Sequence, residues 1–174
     1  MPEQIIIVDE QDNQIGLEKK LYAHQKGLLH RAISVFIFNS KNELLLQQRA
    51  INKYHCGGLW SNSCCTHPKP EESVENAAHR RLYEEMGIKT NLEKIGTISY
   101  KIFIKENNLH ENELDHLFIG NYEANPQINP DEVSNFKWIS LPVLLNDISS
   151  NSKLYTPWFK IILPKILIKL PFTI

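Results

Sequence analysis

Cysteine is scarce in this chain and badly placed for crosslinking. Of the three cysteines, Cys56, Cys64 and Cys65, one is left over by count and two are neighbours. Adjacent cysteines make poor disulfide partners, so a reduced, cytoplasmic protein is expected. An excess of charge of one sign is also lacking. With 19 basic and 20 acidic residues the net charge is −1, and no long basic run occurs, so no nucleic-acid partner is expected. A few local Lys and Arg residues still suffice to bind a small phosphate-bearing ligand. Long hydrophobic runs are missing too. The opening MPEQIIIVDEQ is acidic, and its apolar stretch is too short for a signal peptide. The most apolar segment, Trp158 to Ile174, is interrupted by Lys160, Lys165 and Lys169 and by Pro164 and Pro171. It predicts no membrane span but a C-terminal helix packed on the core, with Pro164 marking a kink or break. Repeats, low-complexity tracts and linkers are absent, and residues 1–174 read as a single domain with a sizeable core.

The elements follow from pattern. A strand is expected at Gln4–Val8, then a turn at Asp12-Asn13-Gln14. Ile33–Phe38 and Leu44–Gln48 flank Asn39-Ser40-Lys41-Asn42, a β-hairpin signal. Residues 50 to 70, with Gly57-Gly58, Asn62 and two prolines, predict a loop. A helix is expected over Glu72–Met86, with Pro70 and two acidic residues in its first turn and Gly87 just past its end. Val74, Ala78, Leu82 and Met86 recur every fourth residue as its buried stripe. Further strands are expected near Glu93–Ile104, Glu113–Tyr122 and Phe136–Ile139, and a helix near Leu141–Asp147. Strands and helices that do not alternate strictly predict an α+β fold.

Two short segments carry the chemistry. Cys65 and His67 lie two apart, as do Glu111 and Glu113. In extended chain such side chains face the same side, so a thiol, an imidazole and two carboxylates can share one pocket. Metal binding and proton transfer both draw on these groups. The same alternation turns Cys64 away from His67 and makes Cys65 the better centre of such a site.

Aligned on Glu84-Glu85-Met86-Gly87, the helix resembles the Nudix box, with Glu72, Arg80 and Leu82 in register. It departs at Thr66, where that family has glycine, and at Arg81, where it has glutamate. A bare Glu-Glu pair near a helix end is most often a solvated face, but the further matches favour a metal-related role. In Nudix hydrolases the acidic residues hold Mg²⁺ against a pyrophosphate. An arginine in place of one carboxylate implies a retained Nudix-like fold, a mixed β-sheet core flanked by helices, with altered chemistry.

The segments LLHRAISVFIFN, LLLQQRA, NSCCTHP, RRLYEEMG, HENE and YTPW together resemble type 1 isopentenyl-diphosphate isomerases, in family order from about Lys20 to Trp158. The resemblance implies interconversion of isopentenyl and dimethylallyl diphosphate through a tertiary cation. It implies Cys65 and Glu113 as catalytic groups on opposite sides of the substrate, assisted by the Tyr100 hydroxyl. One divalent ion, Zn²⁺ or Mn²⁺ by ligand type, would be held by His24, His30, His67, Glu111 and Glu113. Glu85 would hold a Mg²⁺ that arrives with the diphosphate. Lys20, Arg49, Lys53 and Arg81 would contact the diphosphate, Lys19 being an alternative to Lys20. Tyr100 and Trp158 would line the isoprenoid tail. His24 and His30 are six apart and meet only if the chain turns near Gly27. His55, His79, His110 and His116 receive no role. Two rivals stand beside this reading: a Nudix-type diphosphate hydrolase, and a non-catalytic protein with a structural metal site.

Overall fold

The computed structural model describes residues 3–53 and 55–170. In chain order these form β1 (Gln4–Val8), β2 (Gln14–Lys19), α1 (Lys20–Lys26), β3 (His30–Phe38), β4 (Glu43–Arg49), β5 (Trp60–Ser61) and β6 (Cys64–Thr66). There follow α2 (Val74–Met86), β7 (Leu92–Ile104), β8 (Leu109–Asn121), β9 (Val133–Ser140), α3 (Leu141–Ser150) and α4 (Pro157–Leu167). The architecture is α+β. No helix among the described residues is long and apolar enough to cross a membrane.

Strand β3 organises the sheet. It pairs antiparallel with β4 and β6 and parallel with β8, while β8 pairs with the long antiparallel β7 and β4 with β9. Its residues are buried on both faces, as a central strand requires. Phe36 and Phe38 enter one core with Leu44, Leu46, Phe159, Ile162 and Ile166. Ile33, Val35 and Ile37 enter the other with Ala78, Leu82 and Met86. Helices α4 and α2 therefore cover opposite faces, each through its apolar stripe.

Several expectations need adjustment. Helix α2 begins at Val74 with Ser73 as its cap, whose hydroxyl accepts from the Asn76 amide, so Pro70 and Glu72 lie before the helix. Helix α4 runs through Pro164 without a break; Pro171 lies outside the described residues. The 50–70 segment contains the short strands β5 and β6. Strand β2 and helix α1 were not expected, because no residue of β2 is buried and α1 has only seven residues.

Helix α1 ends at Gly27, whose φ of 63° lies in the left-handed region and lets its amide bond to the Ala23 carbonyl. The chain then turns into β3, and His24 and His30 come together with ring centroids 4.7 Å apart. A side chain at Gly27 would add left-handed strain of about 1–2 kcal/mol, and its Cβ would stand 3.2 Å from the His110 ring. Gly27→Ala should lower the urea midpoint by a corresponding amount. An unchanged midpoint would show that this turn is not under strain.

Candidate active site

Strand register brings the functional groups together. The parallel β3–β8 ladder sets His30 opposite Glu113, the β7–β8 ladder sets Tyr100 opposite Glu113, and the β3–β6 ladder sets Ser34 opposite Cys65. Glu111 and Glu113 alternate onto one face of β8. Cys65 and Glu113 both line a cavity of about 390 Å³, together with His67, Tyr100 and Trp158. Cys64, one residue earlier, is fully buried in the opposite core.

His24, His30, His67, Glu111 and Glu113 are all buried, and one potential ligand atom from each lies within 4.8 Å of the others. The Nδ1 groups of His24 and His30 donate to the carbonyls of Lys20 (2.7 Å) and Leu28 (2.8 Å). Such backbone bonds fix the tautomer and leave Nε2 as a lone pair. Nε2 of His24 then stands 3.1 Å from a Glu111 oxygen, and Nε2 of His30 and His67 stand 3.6 and 3.1 Å from Glu113. Lone pairs facing carboxylates repel unless a cation lies among them. Protons satisfy only part of this set. Glu111 raises the pKa of His24 against the opposing effect of burial. Burial instead holds His67 down to about 4. Against its burial, Glu113 is drawn well below the usual carboxylate range by the His30 and His67 rings beside it when they carry protons. Buried imidazoles around two carboxylates suit one divalent ion, and the residues present fit such a group.

Cys65 is enclosed differently. Its thiol lies 3.0 Å from Asn62 Oδ1 and 3.5 Å from Ser34 Oγ. Asn62 is oriented by its amide nitrogen, which donates to the carbonyls of Val35 and Cys64. Burial, reinforced by the charge of Asp115, pushes the thiol up to about 12. The Tyr100 hydroxyl donates to Glu113 Oε2. Trp158 is placed by the start of α4, where Thr156 bonds to the Trp60 carbonyl and the Trp158 indole donates to Ser61 Oγ.

The remaining candidates also line the cavity: Lys20, Arg49, Lys53, Arg81 and Glu85. Arg81 pairs with Glu84, Glu85 and Glu132, and Lys53 with Glu132. Lys20 pairs with Glu3, and the Arg49 guanidinium lies 5.3 Å over the Trp158 ring. Glu85 also accepts from Gln47 (2.8 Å) and stands apart from the histidine cluster. Thus every candidate from the sequence falls in the cavity or the cluster behind it. Three residues were missed. His55 donates to Glu111 at 2.9 Å and lies beside Trp158; no pattern in its loop marked it. Glu132 holds two of the cations, and Asp115 sits one alternation beyond Glu113, where the extended pattern of β8 would have found it.

A mixed sheet braced by helices, with an acidic helix facing a cation-lined cavity, is the arrangement of a NUDIX domain, whose family model matches residues 28–159. The structure resembles the DR0079 protein of Deinococcus radiodurans, with TM-score 0.73 and 19% identity over 86% of this chain and 90% of that one. A MutT protein of Methanosarcina mazei aligns with TM-score 0.58 and 22% identity over 68% and 81%. At those identities the likeness is one of fold. Relatives by sequence are much closer. Isopentenyl-diphosphate Delta-isomerase 2 of Photorhabdus laumondii is 51% identical, covering 92% of this chain and 90% of its own. Isopentenyl-diphosphate Delta-isomerase 2 of Aromatoleum aromaticum is 46% identical over 96% and 88%. The chain belongs to the isopentenyl-diphosphate Delta-isomerase family of NUDIX-domain proteins.

The histidine cluster predicts its own test. Divalent metal titrated into metal-stripped protein should bind more weakly after His24→Ala by at least the roughly 10- to 100-fold that loss of a ligand's outer partner costs, measured by calorimetry. Equal affinity in both proteins would remove His24 from the ligand set.

Proposed function

We propose that this enzyme, with residues 1–174 as one catalytic domain acting in the cytoplasm, converts isopentenyl diphosphate to dimethylallyl diphosphate. The observation that carries the reading is the placement of Cys65 and Glu113 on separate strands opening into one cavity. That cavity is large enough for a small diphosphate. The substrate gains a proton at C4, and the tertiary cation so formed loses one from C2. Cys65 is placed to give a proton. In its buried setting it is a thiol rather than a thiolate, and its neighbour Asn62 Oδ1 is an acceptor. Glu113, held ionised, is placed to accept one, with the Tyr100 hydroxyl steadying the carboxylate.

An unactivated alkene is a poor base, so the cation must be stabilised as it forms. The Trp158 ring supplies a π face, an interaction worth about 2 kcal/mol when desolvated. The apolar packing of Trp158 and Tyr100 also keeps water from trapping the cation as an alcohol. His24, His30, His67, Glu111 and Glu113 would hold Zn²⁺ or Mn²⁺, and Glu85 with the diphosphate would hold Mg²⁺. When bound, these ions supply positive charge that neutralises the carboxylates and the diphosphate. Lys20, Arg49, Lys53 and Arg81 bind the diphosphate, displacing the carboxylates of Glu3 and Glu132 that occupy several of them here.

The deciding experiment follows labelled isopentenyl diphosphate by NMR in D₂O with Mg²⁺. Dimethylallyl diphosphate carrying solvent deuterium is expected. Cys65→Ala and Glu113→Gln should each lower kcat by about 10³-fold or more. Release of phosphate or pyrophosphate without isomerisation would instead support a Nudix-type hydrolase. Arg49→Ala and Lys53→Ala should mainly raise KM, by about ten-fold each. An unchanged KM in both would remove their diphosphate role.

A further inference from the structure

Three buried polar groups lie behind Cys65, away from the histidine cluster. Asp115 is fully buried on β8, facing the small Ala32 across the parallel ladder. The Ser34 hydroxyl donates to Asp115 Oδ2 at 2.8 Å. Ser34 Oγ also lies 3.5 Å from Cys65 Sγ, its direct cross-strand partner. The other carboxyl oxygen, Oδ1, has no hydrogen-bond partner among the described residues. A carboxyl buried in this way is a cost to folding that packing does not explain. Its neighbours show what it does instead.

A serine hydroxyl has one proton and two lone pairs. Left to itself it can donate to the sulfur or accept from it. The Asp115 carboxyl takes that proton at Oδ2 when it is ionised, or when its own proton sits on Oδ1. Ser34 Oγ is then committed as an acceptor on its thiol side. Asn62 Oδ1 is committed in the same sense, because its amide nitrogen is spent on two backbone carbonyls. The thiol therefore meets acceptors on both polar sides and keeps its own proton.

We propose that Asp115 and Ser34 are positioning residues for the reaction: Asp115 fixes the Ser34 hydroxyl, and Ser34 with Asn62 holds the Cys65 thiol in place as the proton donor at the wall of the cavity. This rests on the reading of Cys65 as an acid–base group. Neither Asp115 nor Ser34 lines the cavity, so both act through Cys65 and not on the substrate.

The test compares Ser34→Ala, Asp115→Leu, Asp115→Asn and Cys65→Ala in the metal-loaded full chain, by kcat, KM and thermal midpoint. Ser34→Ala and Asp115→Leu should lower kcat on the order of 10- to 100-fold, the scale of a mispositioned group, with KM within about two-fold. The thermal midpoint of Asp115→Leu should hold or rise, since a buried half-satisfied carboxyl is lost, whereas Ser34→Ala strands both oxygens of that carboxyl and should lower it. Asp115→Asn keeps an oxygen that accepts from Ser34 and should recover most of the rate. If Asp115→Leu does not fold, Ser34→Ala decides alone. Full kcat in Ser34→Ala, or a rise in KM with kcat unchanged, would overturn the proposal. Should Cys65→Ala be inactive in that same experiment, the isomerase reading survives and only the positioning role falls. An active Cys65→Ala would remove both.

Discussion

Two carboxylates two residues apart, both buried and both faced by imidazole, set the terms for the rest of this fold. Glu111 and Glu113 cannot lie side by side in an apolar interior unless positive charge is brought to them. The chain gathers imidazoles around them from four directions, as proton donors or as ligands for such a cation. His24 comes from a short helix closed by a glycine, His30 from the first residue of the central strand, His67 from the end of β6, and His55 from the loop after β4. The polar cluster is held in place by the cores on either side of the sheet. Strand β3 contributes to both, so it cannot slide without unpacking one of them.

Family membership and departure from the hydrolase pattern are both visible on α2. Its Glu72–Arg80 pair, with bonds of 2.6 and 2.8 Å, ties the segment before the helix to its surface. Arg81 stands where the Nudix box has a carboxylate. It faces Glu85 and Glu132 within the cavity, so the helix offers a guanidinium to an incoming anion where a hydrolase offers another metal ligand. Arginine suits that exchange, because its planar fork matches phosphate oxygens. The proposed acid and base sit instead on β6 and β8. In the proposed reading, binding the diphosphate and moving the proton fall to different parts of one cavity.

Much of the site was legible from local spacing. The alternation rule brought Cys65 and His67 to one pocket and turned Cys64 into the core, because β6 is extended where it was expected to be merely loop. The hairpin at residues 39–42 and the end of α2 at Gly87 follow from turn and cap chemistry. What local spacing could not supply was contact across long separations. Ser34 meets Asp115 across 81 positions, and Lys53 meets Glu132 across 79. A lone serine, an aspartate or a loop histidine has no signature of its own. Each acquires a role only from what the ladders place beside it. Strand β2 was missed for a related reason: with no buried face it has no hydrophobic period to detect.

The proposed mechanism depends on this ladder geometry more than on any single bond. Cys65 lies opposite Ser34 on one side of β3, and Glu113 lies opposite His30 on the other. Both distances to the substrate are therefore set by pairing to the same strand. A slip of one residue in β6 would exchange Cys65 for its neighbours and turn it to the opposite core face, as strand alternation requires. A slip in β8 would remove both carboxylates from the histidines at once. The groups asked to act within a fraction of an ångström thus stand on register-locked strands. Lys53 is carried by a loop and Arg81 by a helix surface, where long side chains can adjust to a mobile diphosphate. Precision is needed at the alkene and tolerance at the phosphate. The division of the cavity between ladder and periphery meets both needs, and it explains how a NUDIX sheet can change its reaction while keeping its fold.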